Sequence, residues 1–161
     1  MKREGDRWKP TFGVVHAPAT QTTWFGGETT PATRINDSNS KTISVNNNPS
    51  KPIQLVASGS HRAERDERFA EQIGGHDLVR MGSSLKACVV ADGSADLYPR
   101  FGPTSCWDIA AAHAVVESSG GFVLGPDCQS LDYDLVEDVL NPFFLVTCST
   151  DWNDIWAQNQ N

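Results

Sequence analysis

Short hydrophobic runs, punctuated by Gly, Pro, Asn and Ser, dominate the chain. The run at 11–17 (TFGVVHA) predicts a strand that Pro18 stops, and 22–26 (TTWFG) predicts a second after the turn at 19–21. Residues 28–50 are rich in Thr, Asn, Ser and Pro, with an apolar β signal at 41–45 alone, so a mobile polar loop is expected over this stretch. After Pro52 the texture changes. A β-branched strand at 53–57 leads through a polar turn at 58–62 into a helix over 63–73. Phe69 and Ile73 share one side of that helix, while Glu64 and Arg68 pair across a turn. Gly74 and Gly75 end it. A strand at 76–81, a helix from about 85 to 91, a turn at Asp92-Gly93 and a strand at 95–99 follow. The clearest helix is 107–119, with Ile109, Ala110, Ala114 and Val115 as an apolar face, closed by Gly120-Gly121. Strands are expected at 122–124 and 143–148. The polar end beyond Asp151 is expected to fray, although Trp152 and Trp156 are four apart and suited to packing together.

Alternation of strand and helix from about 52 to 148 predicts an α/β layered domain. Residues 1–51 carry strands without a helix of their own, which reads as remnant strands of another sheet. Residues 149–161 read as a polar tail. The 161-residue length suits one core.

Composition narrows the partners. With 20 Asp and Glu against 13 Lys and Arg, the formal charge is −7, a sign that opposes nucleic-acid polymers and anionic membranes. A small anionic ligand remains compatible, because local groups or a metal reverse the field at one site. No apolar run approaches the roughly 18 residues of a membrane span, and residues 1–10 lack the apolar core of a signal peptide. Cys88, Cys106, Cys128 and Cys148 form no CxxC pair or zinc spacing. Reduced, buried cysteines of a cytoplasmic protein are expected.

The strongest chemical signal is Trp107-Asp108-Ile109-Ala110-Ala111-Ala112-His113, ending in Ser119-Gly120-Gly121. Asp108 falls in the first turn of a helix, where a carboxylate is stabilised by the helix field and is placed to join a cation beside a bound phosphate. A lone Asp there is more often a plain cap. The whole run, however, resembles the second signature of the inositol monophosphatase superfamily, a W-D-x-A-A pattern followed by a helix and Gly-Gly. Residues 81–86 (MGSSLK), 95–104 (ADLYPRFGPT), 13–18 (GVVHAP) and 140–142 (LNP) resemble its 3'(2'),5'-bisphosphate nucleotidase branch. The likeness covers most of 11–147 and is weakest over 28–50.

The resemblance implies a magnesium-dependent phosphomonoesterase (Mg2+ as cofactor). Its substrate would be a small nucleotide bisphosphate, 3'-phosphoadenosine 5'-phosphate, hydrolysed to AMP and phosphate in sulfur assimilation. It implies that Asp108 is a metal ligand, that Gly82, Ser83 and Lys86 contact the nucleotide, and that Arg100 holds a second phosphate in bidentate fashion. Ser58 and His61 fall where the family has a small polar turn near the substrate. It further implies the C-terminal half of a layered α-β-α-β-α sandwich, with residues 11–45 supplying edge strands of the N-terminal sheet.

Plainer roles stand beside these. Lys86 is also readable as a solvated charge, Arg100 as a stacking group, His113 as a packed histidine, and Asp96, Asp132 and Asp134 as turn or strand-edge carboxylates. The family's first signature, D-P-(L/I)-D-G-(S/T), is not found. Asp92-Gly93-Ser94 imitates its tail, but Val89 and Val90 stand in place of Asp-Pro, and the position is a turn. The upstream glutamate of the metal cluster is missing as well. The chain therefore reads as the C-terminal portion of such an enzyme, with little or no activity alone. A non-catalytic nucleotide-binding remnant and an inositol monophosphatase-type fragment are the alternatives. The unpaired strands predict a homo-oligomer or a complementing N-terminal segment.

Overall fold

The computed structural model describes residues 1–37, 39–57 and 64–160. A hairpin of β1 (Lys2–Glu4) and β2 (Arg7–Lys9) precedes an antiparallel sheet in the order β3-β4-β5-β6. Its strands are β3 (Phe12–Ala17), β4 (Thr22–Gly27), β5 (Thr30–Asn36) and β6 (Asn39–Thr42). A mixed sheet follows, in the order β10-β11-β9-β7-β8. It is built from β7 (Ile53–Ala57), β8 (His76–Arg80), β9 (Leu97–Arg100), β10 (Phe122–Leu124) and β11 (Phe144–Thr147). The helices are α1 (Glu64–Ile73), α2 (Leu85–Ala91), α3 (Cys106–Ser118) and α4 (Asn153–Gln158). The α/β fold expected from the sequence is the one observed.

Burial explains the layering. Side chains of the inner strands β9 and β11, and of Leu55-Val56 in β7, are buried at successive positions because both faces of the sheet are covered there. Val56, Tyr98, Phe144 and Val146 face a core shared with α2, α3 and the antiparallel sheet. Their neighbours Leu55, Leu97 and Leu145 face a second core with Phe69 and Ile73 of α1 and Trp156 of α4. The antiparallel sheet is covered on one face and alternates accordingly: Gly13, Val15 and Ala17 are buried, whereas Phe12, Val14 and His16 are exposed. The order of layers is thus antiparallel sheet, α2 with α3, mixed sheet, α1 with α4.

Helix α3 is apolar nearly all round because it lies between two sheets. It approaches β3 closely. A Cβ on Gly13 would stand 1.9 Å from the Ala111 carbonyl oxygen, and one on Gly26 would stand 2.1 Å from Ser118 Oγ. Small residues on both elements make that approach possible, so the first strands, which have no helix of their own, are covered on one face by a helix from later in the chain.

Two further expectations are corrected. Residues 28–50 are not a mobile loop: β5 and β6 occupy much of the stretch, and Ile43 and Val45 are buried. Their signal is weak because β6 is an edge strand exposed at every position, so Thr, Asn and Ser suffice there. The polar end does not fray. It forms α4, with Trp156 fully buried and edge-on to Phe69, their ring centroids 6.0 Å apart, and its Nε1 donating to the Gly125 carbonyl at 2.7 Å. The four-spaced tryptophans outweigh the polar residues around them.

Candidate active site

The chain between β8 and α2 and the turn between β9 and α3 converge on one cavity of about 370 Å³. Ser83, Ser84 and Lys86 line it from the first segment, and Arg100, Pro103, Thr104, Trp107 and Asp108 from the second. Tyr98 and Phe144 close its floor. A larger cavity of about 560 Å³ lies between the β4–β5 turn and α3, but its lining includes Glu28 and Glu117 and no Lys, Arg or His. Among the described lining residues, its charge is wrong for a phosphate; that of the smaller cavity, two cations against one carboxylate, is right.

Lys86 is the notable group. It sits on the first turn of α2 and is 6% exposed, so it is not a solvated charge. Its Nζ donates to the Ser83 carbonyl at 3.0 Å and lies 5.3 Å from the centroid of the Tyr98 ring. Burial, with the Arg100 charge adding to it, holds the ammonium below the ordinary lysine value of 10.5. No carboxylate is hydrogen-bonded to it among the described residues; an anion in the cavity would supply the missing counter-charge. Arg100 is similarly underused. Its Nη2 donates to the Pro103 carbonyl at 3.1 Å, while its Nε is buried without a hydrogen-bond partner. Gly102 keeps room for that guanidinium, since a Cβ there would stand 3.3 Å from Arg100 Cζ. Burial pushes the Tyr98 phenol up to about 12; Arg100 pulls it down, and Asp108 and Asp66 push it further up.

Asp108 is on the first turn of α3. Its Oδ2 accepts the Ser105 backbone N–H at 2.8 Å, the reciprocal half of a capping box. The turn that carries it is tied down by Asn141, whose Nδ2 donates to Thr104 Oγ1 at 3.0 Å and to the Ser105 carbonyl at 2.8 Å. Ser105 also bridges to Leu140. A divalent cation of the magnesium type takes about six oxygen ligands. Asp108 offers one free oxygen, and no group of three or more His, Cys, Asp or Glu side chains suited to a metal occurs among the described residues. These residues by themselves do not fit a magnesium centre.

Of the residues singled out from the sequence, Ser83, Lys86, Arg100 and Asp108 are brought together, from separate segments. Gly82 is exposed and is not part of the cavity lining. Ser58 and His61 lie outside the described residues. The sequence reading missed Ser84, Thr104 and Trp107 as lining groups; Trp107 stood inside the recognised motif, passed over because Asp108 carried the chemistry.

The plainer roles hold elsewhere. Asp96 is buried and accepts from Asn46 Nδ2 at 2.7 Å and from the Gln54 N–H at 2.8 Å. Asp92 accepts from Trp24 Nε1 at 3.0 Å, a structural turn role. Asp132 pairs with Arg7 at 2.8 Å, and Asp134 accepts the Val136 and Glu137 N–H groups. His113 is buried, with Nδ1 2.8 Å from the Tyr133 hydroxyl and Nε2 3.2 Å from Glu117. All four cysteines are free, and burial pushes the Cys88 and Cys148 thiols up to about 12, with Asp92 and Asp96 adding to the respective shifts.

The model of the inositol monophosphatase family matches residues 6–149. The chain belongs to the inositol monophosphatase family. Among its relatives, a protein of Salmonella typhimurium named 3'(2'),5'-bisphosphate nucleotidase CysQ is 40% identical over 142 residues, covering 88% of this chain and 56% of that protein. One of the same name from Haemophilus influenzae is 28% identical over 155 residues, covering 94% of this chain and 58% of that protein. The crystal structure of CysQ from Bacteroides thetaiotaomicron, described as a bacterial member of the inositol monophosphatase family, superposes with a TM-score of 0.75 at 31% identity. That match covers 88% of this chain and 59% of the solved one. The Thermotoga maritima inositol monophosphatase shares the fold, with a TM-score of 0.70 at 24% identity. The chain spans a little over half the length of these relatives. No helix among the described residues is long and apolar enough to cross a membrane.

Proposed function

We propose that this member of the inositol monophosphatase family forms the phosphate-holding part of a 3'(2'),5'-bisphosphate nucleotidase. The observation that carries this reading is the underused pair of cations in one cavity: among the described residues, Lys86 is buried without a carboxylate partner, and Arg100 has a buried Nε without a hydrogen-bond partner. Each forms charge-assisted hydrogen bonds to phosphate oxygens, and the guanidinium edge takes two at once. Two cations suit a ligand with two phosphates. Ser83 adds a hydroxyl to the same wall. The name borne by the relatives supports a nucleoside 3',5'-bisphosphate as the substrate class; 3'-phosphoadenosine 5'-phosphate, hydrolysed to AMP and phosphate in the sulfur assimilation of the cytoplasm, is the specific substrate carried over from the family resemblance.

Asp108 would be one ligand of a divalent cation, magnesium by expectation, only together with groups beyond the described residues; such a cation would activate water and shield the phosphoryl group. Ser105 keeps its other oxygen engaged and so sets the direction of the free one. A centre of two such cations needs further carboxylates besides Asp108. Residues 1–161 alone therefore bind the bisphosphate without turning it over. The test is phosphate release from adenosine 3',5'-bisphosphate by the purified chain with magnesium. Background rates are expected, and robust turnover would contradict the reading.

A further inference from the structure

Of the five tryptophans, Trp24, Trp152 and Trp156 are buried and Trp8 is half-buried, but Trp107 is 69% exposed. An indole in that position gives up the gain from burying a large aromatic surface. It is not scattered at random over the surface, for it lines the cavity that holds Lys86, Arg100 and Asp108. The other aromatic side chains of the lining cannot offer a face. Tyr98 is 5% exposed and Phe144 is 1% exposed; they pack edge to face, with centroids 5.8 Å apart. The polar groups of the cavity are suited to phosphates and carry no carboxamide of the kind that pairs with a base edge. Among the described residues of the lining, Trp107 is what remains to meet a flat apolar part of a ligand.

We infer that Trp107 is the surface on which the base of a nucleotide ligand stacks while its phosphates engage Lys86 and Arg100. The inference rests on the nucleotide reading of this cavity. Stacking on an aromatic face tolerates any base, because every base has a π-face. The site thus distinguishes a nucleotide from a sugar phosphate more strongly than adenine from guanine. At about 370 Å³ the cavity is at the small end of ligand pockets, roughly 300–1,000 Å³, which fits phosphates inside and a base at the rim.

The test is calorimetric titration of adenosine 5'-monophosphate and of ribose 5-phosphate into the wild-type chain, W107F and W107A, without divalent cation. The substitutions touch an exposed side chain, so the fold is retained, checked by circular dichroism. The wild type is expected to bind the nucleotide about ten- to a hundredfold more tightly than ribose 5-phosphate. W107A is expected to erase that preference without changing ribose 5-phosphate affinity, and W107F to keep part of it. Equal affinity of the wild type for the two ligands would overturn the stacking inference alone. So would a W107A variant that keeps the preference, the result if Trp107 is instead covered by another protein segment, or one that weakens both ligands alike. Failure of both ligands to bind the wild type would overturn the phosphate-site reading and this inference with it.

Discussion

Replacing Lys86 by methionine is expected to stabilise the ligand-free chain while weakening its hold on phosphate. Lys86 is 6% exposed as a residue, and among the described residues its ammonium has a carbonyl, not a carboxylate, as its hydrogen-bond acceptor. Desolvating an ammonium costs several kcal/mol after relaxation. The charged hydrogen bond to the Ser83 carbonyl returns about 1.5–3 kcal/mol, and the contact with the Tyr98 ring about 0.5–1 kcal/mol. Methionine fills nearly the same volume without the charge, so the expected gain is about 1–2 kcal/mol. For a chain of this size that corresponds to a rise in Tm of roughly 2–8 °C. The same change removes a charged contact to the ligand, worth about ten- to a hundredfold in affinity.

The pH dependence carries a sign of its own. The Lys86 value in the folded chain lies below the ordinary 10.5 because of burial and then Arg100. Between the lowered value and 10.5 the unfolded chain therefore binds more protons, and wild-type stability gains with rising pH relative to K86M. The advantage of K86M is full well below the lowered value and shrinks as pH approaches 10.5. Scanning calorimetry of both proteins across pH 7–10, with phosphate titrations at pH 7, measures each part. A K86M protein that is less stable at pH 7, or that binds phosphate as well as the wild type, would refute the idea that Lys86 is held charged and unpaired for an anion.

Asn141→Ala removes two hydrogen bonds to the turn before α3; a loss of about 2 kcal/mol is expected, seen as a Tm drop of roughly 4–8 °C. Gly13→Ala drives a Cβ into the Ala111 carbonyl oxygen at 1.9 Å and is expected to cost about 2–3 kcal/mol by urea unfolding. Gly82→Ala, with nothing within 4 Å of its Cβ, should stay within about 0.5 kcal/mol in the same assay. The outer face of the antiparallel sheet shows Phe12 and Val14 each 51% exposed, with Phe25 6.5 Å from Phe12 by ring centroids. Sedimentation velocity should find concentration-dependent association of the wild type and much less of it in the double variant F12S/V14S.

What was legible followed the physics of each segment. The mixed sheet and its helices were readable because both faces are buried, so Ile53, Leu55 and Val56 mark a strand by composition alone. Helix α3 was readable from its alanine-rich run and Gly-Gly stop. Strands β5 and β6 were not, because their outward positions need only be Thr, Ser or Asn, and pairing with β4 decides their conformation. The burial of α4 turned on Trp156 meeting Phe69 and Phe101, a contact between segments far apart in the chain that no local pattern contains. Within the site, residue types identified Lys86, Arg100 and Asp108 through a family likeness. That Lys86 has no carboxylate partner among the described residues, and that Arg100 Nε is buried without a hydrogen-bond partner, are properties of the folded site. Trp107 has an ordinary helical position in the sequence; its exposure beside the cations is a property of the folded surface.

The most direct measurement of the central claim is isothermal titration of adenosine 3',5'-bisphosphate into the chain without divalent cation, compared with the double variant K86M/R100M. Saturable binding by the wild type, lost in a folded double variant, is the expected result. No binding by the wild type, or equal binding by the variant, would contradict the assignment of Lys86 and Arg100 as the groups that hold the phosphates.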